Sequence, residues 1–150
     1  MELSRPQGIA RVFLRLPIAL YRLHLGWLLG QRFLLLEHRG RKTGRLRYNV
    51  IEVIGRGRKK GAYYVAAAWA PRADWYQNIQ RDRHVRIHVG WEHFSAVSRA
   101  LSPDESRAYL QKYRQHHRLA AKALVRILGT TADELLNTQV VEFSREPAHA

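Results

Sequence analysis

The chain has 150 residues, with 26 lysines and arginines against 12 aspartates and glutamates, and its formal net charge is +14. This length fits one domain, and so large a positive charge indicates an anionic partner: nucleic acid, an anionic membrane surface or a polyanionic small ligand. Because the sequence has no cysteine, disulfides and thiolate metal sites are excluded, and the composition fits a cytoplasmic protein.

Residues 1–31 form an N-terminal segment that we expect to be an amphipathic helix, placed before the main domain at 32–150. In residues 9–29 the arginines fall on one side of a helix and the apolar side chains gather on the other. Pro17 interrupts this helix, and the arginines exclude a bilayer-spanning segment. We expect its apolar side to pack on the domain. The alternative is peripheral docking on the inner face of an anionic membrane.

A cationic turn, Arg39-Gly40-Arg41-Lys42-Thr43-Gly44-Arg45-Leu46-Arg47, lies between two short apolar runs. Each run is too short for a helix, so the unit is predicted to be a β-hairpin. The glycines allow a tight backbone, and the side chains supply donors with no carboxylate among them to neutralise the charge. The turn is either an anion-binding loop or a solvated hairpin tip. It is not a P-loop, because the glycines are too close together and a strand follows.

A second basic turn, Gly55-Arg56-Gly57-Arg58-Lys59-Lys60-Gly61, leads into a strand over residues 62–68. The glycines are not spaced as in G-x-G-x-x-G, and a strand follows where a dinucleotide-binding fold would place a helix, so a Rossmann fold is excluded. We interpret this turn as a solvated hairpin tip. The strand ends in three alanines, whose small side chains let a planar ring lie close to the backbone.

A short helix is predicted over residues 75–81, where Trp75, Asn78 and Ile79 share one side at positions i, i+3 and i+4. Burial preference places Trp75 in the core. The alternative is that this aromatic ring and the amide of Asn78 form a wall of a site for a planar ligand beside the alanines.

The remaining pattern predicts two strands, two helices and a last strand. Strict alternation over residues 84–89 predicts a strand that separates His84 and His88 by ~13 Å, too far for one metal ion, so we predict no metal site. A further strand covers residues 94–100. Ser102 caps a helix that ends near residue 116, a second helix covers 119–128 before Gly129, and residues 139–143 form the last strand.

Three motifs, taken together, resemble the deazaflavin (F420)-dependent nitroreductase and quinone reductase family in their order and spacing. They are Gly40-Arg41-Lys42-Thr43-Gly44 followed by Arg47, then Ala66-Ala67-Ala68-Trp69, then Trp75-Tyr76-Gln77-Asn78. The likeness extends over residues 33–129. It implies an α+β fold, a split β-barrel related to FMN-binding proteins, with about five to seven mostly antiparallel strands and flanking helices.

The resemblance implies that the protein transfers a hydride from reduced coenzyme F420, an 8-hydroxy-5-deazaflavin, to a quinone or nitro-type acceptor; FMN is the less favoured cofactor. No catalytic side chain is expected, because the coenzyme carries the chemistry. The family's coenzyme contacts fall on Arg41, Lys42, Thr43, Gly44, Arg47, Ala67, Ala68, Trp69, Trp75 and Asn78. The acceptor contacts fall on Tyr109, Tyr113 and His117, although these tyrosines are equally interpreted as packing residues.

Two other functions compete with this one. A non-catalytic member of the same fold that binds a lipid or fatty acid at the membrane surface is favoured by the cationic N-terminal segment and the net charge. A nucleic-acid binder is compatible with the basic turns, but no recognition motif accompanies them, so it ranks last. Barrels of this type often pair, which makes a homodimer an open expectation that charge repulsion opposes.

Overall fold

The computed structural model of the protein describes residues 33–59, 61–67, 70 and 72–147. The predicted N-terminal helix, the domain boundary beside it, and Ala68 and Trp69 lie outside these residues. Within the described part of the chain, no helix combines the length and hydropathy needed to cross a bilayer.

Six antiparallel strands close into a barrel in the order β1-β2-β3-β6-β5-β4. The strands are β1 (Phe33–Arg39), β2 (Leu46–Arg56), β3 (Ala62–Ala67), β4 (His84–Val89), β5 (Glu92–Ala100) and β6 (Gln139–Arg145). The helices are α1 (Asp74–Arg81), α2 (Pro103–His116), α3 (Arg118–Leu128) and α4 (Ala132–Leu135). The structure therefore confirms the predicted α+β barrel with flanking helices.

Alternation along the strands decides which side chains fill the barrel. In β1, Leu34 and Leu36 point inward, and the antiparallel register places Leu36 opposite Asn49 and His38 opposite Arg47. The inner core is completed by apolar side chains from the other strands and from α1: Tyr63, Val65, Ala67, Trp75, Ile79, Val85, Ile87, Val89, Phe94, Ala96, Val141 and Phe143. Helix α1 thus contributes to the core within the barrel.

A second apolar core lies between the outside of the barrel and helices α2 to α4. Its members come from β2, β6, those helices and the residues that directly follow β5 and α4: Ile54, Leu101, Leu110, Tyr113, Ala121, Leu135, Leu136 and Val140. This packing covers the outer faces of β2, β3 and β6, and it fixes where α2 lies along β2.

Local capping explains where the helices begin and end. The Ser102 hydroxyl accepts a hydrogen bond from the Glu105 amide at 3.2 Å, and Gly129 adopts φ 62°, as the sequence predicts. The four-residue helix α4 was not predicted, because it is too short to show periodicity. Its signal is a capping box between Thr131 and Glu134.

Strand direction divides the barrel into two ends. The β1–β2 turn, the end of β3 with α1, and the start of β6 lie at one end, which we call the α1 end. The β2–β3 and β4–β5 turns lie at the other. The two predicted basic turns are therefore at opposite ends of the molecule.

Candidate functional site

The cationic turn between β1 and β2 is held in shape by its own backbone. The Gly40 amide donates to the Arg45 carbonyl and the Gly44 amide donates to the Gly40 carbonyl, both at 2.8 Å, while Arg39 Nη1 donates to the Gly44 carbonyl at 3.1 Å. Gly44 has φ 69°, a conformation that favours glycine, and a Cβ added there would meet nothing within 4 Å. The turn is thus tight, with open space beside Gly44.

Four of the five cations of this turn are exposed: Arg39, which donates to the Gly44 carbonyl, and Lys42, Arg45 and Arg47. Among the described residues, none of the ion pairs includes them. Thr43 is exposed beside them, and its hydroxyl accepts from the Arg45 amide at 3.3 Å. Within the part of the chain that the structure describes, these side chains therefore present positive charge without a carboxylate partner at the α1 end, together with hydrogen-bond donors. Both features favour binding of a polyanion.

Arg41 behaves differently, because it ties the turn to helix α1. Its amide and its Nη1 both donate to Asn78 Oδ1, at 3.0 and 2.9 Å, and its Nη2 lies 3.4 Å from Asp74 Oδ1. The turn itself contains no carboxylate, as its sequence shows, and the one that meets Arg41 comes from α1, more than 30 residues later in the chain. Arg41 holds the turn in place.

The amide of Asn78 is held in turn by His38. Asn78 Nδ2 lies 3.2 Å from His38 Nδ1, and His38 Nε2 lies 2.8 Å from Asn49 Oδ1. Burial lowers the pKa of His38 and the charge of Arg47 lowers it further, against the opposing effect of the Asn49 hydrogen bond. The ring is therefore neutral near pH 7.

His38, Asn49 and Asp74 were not predicted as site residues. The signal for His38 was available, because alternation along Phe33–Arg39 puts it on the same side as Leu34 and Leu36. A histidine at an inward position near a strand end indicates a specific hydrogen-bonding role. Contacts from Asp74 and Asn49 depend on the packing of α1 and the strand register, which local pattern does not give.

Trp75 and Ala67 lie in the inner core. Both are buried, and Trp75 contacts Tyr76 edge-on with ring centroids 6.1 Å apart. Trp75 is thus a core aromatic, in agreement with its burial preference. Asn78, from the same helix, is 5% exposed and supports the cationic turn from behind.

The residues predicted to contact the acceptor lie on the outer face of the barrel. Tyr109 stacks on Tyr64 with centroids 4.2 Å apart, and a Cβ at Gly55 would lie 2.5 Å from the Tyr109 ring. Tyr113 is buried, and its hydroxyl donates to Glu52 at 2.9 Å. These contacts match the packing interpretation of both tyrosines.

Distance along β2 separates this aromatic group from the cationic turn. Glu52, the partner of Tyr113, is five residues beyond Arg47, a rise of roughly 17 Å in a strand. His117 is exposed, with its ring centroid 5.4 Å from that of Tyr113. The structure does not bring Tyr109, Tyr113 or His117 into contact with the turn.

A cavity of about 460 Å³ opens at the α1 end. It is lined by the β3–α1 connection, α1, and the starts of α2 and β6: Ala70, Tyr76, Pro103, Asp104, Ser106, Arg107, Leu136, Asn137, Thr138 and Gln139. None of the predicted site residues lines it. It nevertheless borders the alanine-rich strand end, because Gln139 pairs with Ala67 and the Ala70 amide donates to the Ala67 carbonyl.

Polar groups around this cavity are fixed. The Gln139 amide donates to the carbonyls of Leu101 and Val140, both at 2.8 Å, and Arg107 Nη1 donates to Asn137 Oδ1 at 3.0 Å. Burial raises the pKa of Tyr76, so its hydroxyl stays protonated near neutral pH. No local pattern predicts this cavity, because its walls come from segments remote from one another in the chain. In the described part of the chain, no group of three or more His, Asp or Glu side chains could hold a metal ion.

Comparison with known protein families identifies one that this sequence matches. The family model for F420H(2)-dependent quinone reductase matches residues 18–133, which is most of the chain. The search of curated proteins found no significant match.

Solved structures share the fold at low sequence identity. The F420-H2 dependent reductase FDR-A has a TM-score of 0.54 and 16% identity over 77% of this chain and 96% of its own. A structure described as a domain-swapped dimer has a TM-score of 0.54 and 16% identity over 85% and 99%. A pyridoxamine 5'-phosphate oxidase-related, FMN binding protein from Nostoc punctiforme has a TM-score of 0.52 and 17% identity over 93% of this chain and 81% of its own. The family match over most of its length shows that the chain belongs to the F420H(2)-dependent quinone reductase family and is an oxidoreductase whose cofactor is coenzyme F420.

Proposed function

We propose that the protein transfers a hydride from reduced F420 to a quinone, with the anionic tail of the coenzyme held by the β1–β2 turn. The observation that carries this proposal is the arrangement of the turn. Its backbone is tied to α1 through Arg41, while Lys42, Arg45 and Arg47 face solvent without a carboxylate partner among the described residues. A rigid backbone with uncompensated cations suits a ligand that carries phosphate and carboxylate groups.

The donor set fits such a tail. Lys42 and Arg47 supply charged donors to phosphate and glutamyl carboxylates, and Thr43 supplies a hydroxyl. The Gly44 amide already donates a hydrogen bond to the Gly40 carbonyl, so it is not a donor for the tail. Gly44 contributes space instead, because its open side lets a ligand approach the backbone. Arg41 acts mainly as the link to α1, and Asn78 and Trp75 support the site from behind.

The ring of the coenzyme and the acceptor are placed at the 460 Å³ cavity. Its volume lies within the range of about 300–1,000 Å³ that is typical of small-molecule sites. The cavity borders the strand end at Ala67. In the sequence Ala68 and Trp69 follow, and the family resemblance assigns this stretch to the ring. Tyr76 lines the cavity and belongs to α1, the helix that also holds the cationic turn.

The protein's own residues bind, orient and shield the reactants. When bound, reduced F420 supplies the hydride, so the chain needs no nucleophile. Tyr76 stays protonated and can donate a hydrogen bond to an acceptor oxygen, while water supplies the proton that completes reduction. The rate of hydride transfer then depends on the distance between the coenzyme and the acceptor and on their relative orientation.

The test is a fluorescence titration with F420, with FMN as the control ligand, followed by turnover with a soluble quinone and with a nitroaromatic compound. We expect saturable binding of F420, much weaker binding of FMN, and faster turnover with the quinone. Binding of F420 no tighter than that of FMN would contradict the coenzyme site, and faster turnover of the nitro compound would contradict the assigned acceptor.

A further inference from the structure

His38 occupies a position in the barrel where an apolar side chain is expected. It is 3% exposed and follows Leu34 and Leu36 on the inner side of β1. A buried imidazole without hydrogen bonds would cost free energy, so its two ring nitrogens require partners. Both have one: Asn49 on β2 and Asn78 on α1.

The partners define which ring nitrogen carries the proton. Asn78 Oδ1 accepts from two N–H groups of Arg41, which fixes the orientation of that amide and turns its Nδ2 toward His38. His38 Nδ1 must therefore accept a hydrogen bond, and Nε2 carries the proton and donates to Asn49 Oδ1 at 2.8 Å. One ring thus joins β2 to α1.

We propose that His38 is a positioning residue for the coenzyme: as the neutral Nε2–H tautomer, it fixes the amide of Asn78, which in turn holds Arg41 and the cationic turn. This inference rests on the proposed role of the turn in binding F420. It assigns His38 no contact with the coenzyme, because Asn78 and Arg41 lie between them. His38 acts by making the turn rigid before the ligand arrives.

The consequence of protonating His38 follows from the groups around it. A proton on Nδ1 would face the Nδ2 donor of Asn78, so the amide would have to rotate and would then present NH₂ to Arg41 in place of its acceptor. The charge that acts on the ring is that of Arg47, across the β1–β2 pair. Arg41 and Asp74 lie on the far side of Asn78.

On the β4 side, the packing does not offset these cations. Val85 is buried and apolar, and Arg86 is exposed, paired in register with Glu37. Burial and the charge of Arg47 therefore outweigh the Asn49 hydrogen bond and favour the neutral ring, which is the form that holds the turn.

The first test needs no coenzyme. Nitrogen-15 NMR of the free protein at pH 7 should show His38 with a protonated Nε2 and an unprotonated Nδ1. The Arg41 amide, which donates to Asn78, should exchange with solvent about tenfold faster in His38→Phe than in wild type, since loss of the ordered acceptor opens that bond. His38→Gln, which can both accept and donate, should restore much of the protection, and the exposed His84→Asn should change nothing.

The second test measures F420 affinity in a double-mutant cycle. His38→Phe and Asn78→Ala should each weaken binding about tenfold, and the double variant should be no weaker than Asn78→Ala alone, because His38 acts through Asn78. Additive losses, or unchanged Arg41 exchange in a folded His38→Phe protein, would overturn the inference. If His38→Phe does not fold, the nitrogen-15 NMR of wild type decides: a ring that carries its proton on Nδ1, or a charged ring, would overturn the inference. Failure of wild type to bind F420 would instead reject the proposed function, while the exchange result would still stand.

Discussion

Arg41 and Asn78 are joined by two hydrogen bonds to a single oxygen, one from the Arg41 amide at 3.0 Å and one from its guanidinium at 2.9 Å. This pair fixes the cationic turn to the helix that lines the neighbouring cavity. Backbone and side chain of one residue are held together, so the turn cannot shift as a unit without breaking both bonds. Lys42, Arg45 and Arg47, in contrast, remain exposed.

Replacing the solvent-facing cations should weaken coenzyme binding. Lys42→Ala or Arg47→Ala each removes a charged hydrogen bond, which corresponds to ~1.5–3 kcal/mol, or about 10- to 150-fold in Kd. Fluorescence titration measures the change. Arg58→Ala, an exposed arginine in the turn at the opposite end of the barrel, is the matched control and should leave Kd unchanged. Equal losses for all three variants would indicate a general charge effect instead of a site.

Removing the amide of Asn78 should destabilise the fold as well as the turn. Asn78→Ala leaves His38 Nδ1 without its donor and the Arg41 amide without its acceptor, at a cost of about 1–3 kcal/mol in the free energy of unfolding. Urea unfolding measures it. Gln80→Ala, exposed on the same helix, should alter stability by less than ~0.5 kcal/mol. A stability of Asn78→Ala equal to that of Gln80→Ala would show that the buried network contributes nothing.

The buried ring of His38 should make stability fall in mild acid. Its pKa in the folded protein is below the ordinary 6.5, chiefly because of burial. Above pH 6.5 both folded and unfolded chains carry the neutral ring, so stability is independent of this group. Below pH 6.5 the unfolded chain binds the proton first, so the free energy of unfolding decreases until the folded pKa is reached. The measurement is urea unfolding from pH 5 to 8 for wild type and His38→Phe, whose difference isolates this ring. A pH-independent difference would contradict the buried, neutral assignment.

Tyr109 should prove to be a packing residue. Gly55→Ala places a methyl group 2.5 Å from the Tyr109 ring, and such overpacking costs about 1–3 kcal/mol of stability. The double variant Gly55→Ala with Tyr109→Leu should recover part of that loss, whereas Tyr109→Phe, which keeps the stack on Tyr64, should leave the KM for the quinone unchanged. A rise in KM for Tyr109→Phe would return this residue to the acceptor site.

The strands and most helices could be predicted because their signals are local. Alternation in His84–Val89 and the cap at Ser102 depend on neighbouring residues alone, and the structure places both as expected. Four-residue α4 was missed because one turn has no period to detect. The fold class follows from the resemblance that three motifs in order carry, and the barrel in the structure confirms it.

The site was harder to predict, because it depends on which distant segments meet. The exposed cations of the turn can be predicted from sequence. The contacts of Arg41 with Asp74 and Asn78 cannot, because they require α1 to pack against the turn. The family resemblance assigns the acceptor to Tyr109, Tyr113 and His117, whereas the structure places Tyr113 against Glu52 on the outer face of the barrel. The cavity beside Ala67 has walls from four segments and no motif of its own.

Backbone NMR during an F420 titration is the sharpest check that F420 binds at the α1 end through the β1–β2 turn. The largest saturable shift changes should occur at residues 40–47 and 74–78 and along the lining of the cavity. Changes confined to the opposite end, at residues 56–59 and 90–92, or no saturable change at all, would contradict it.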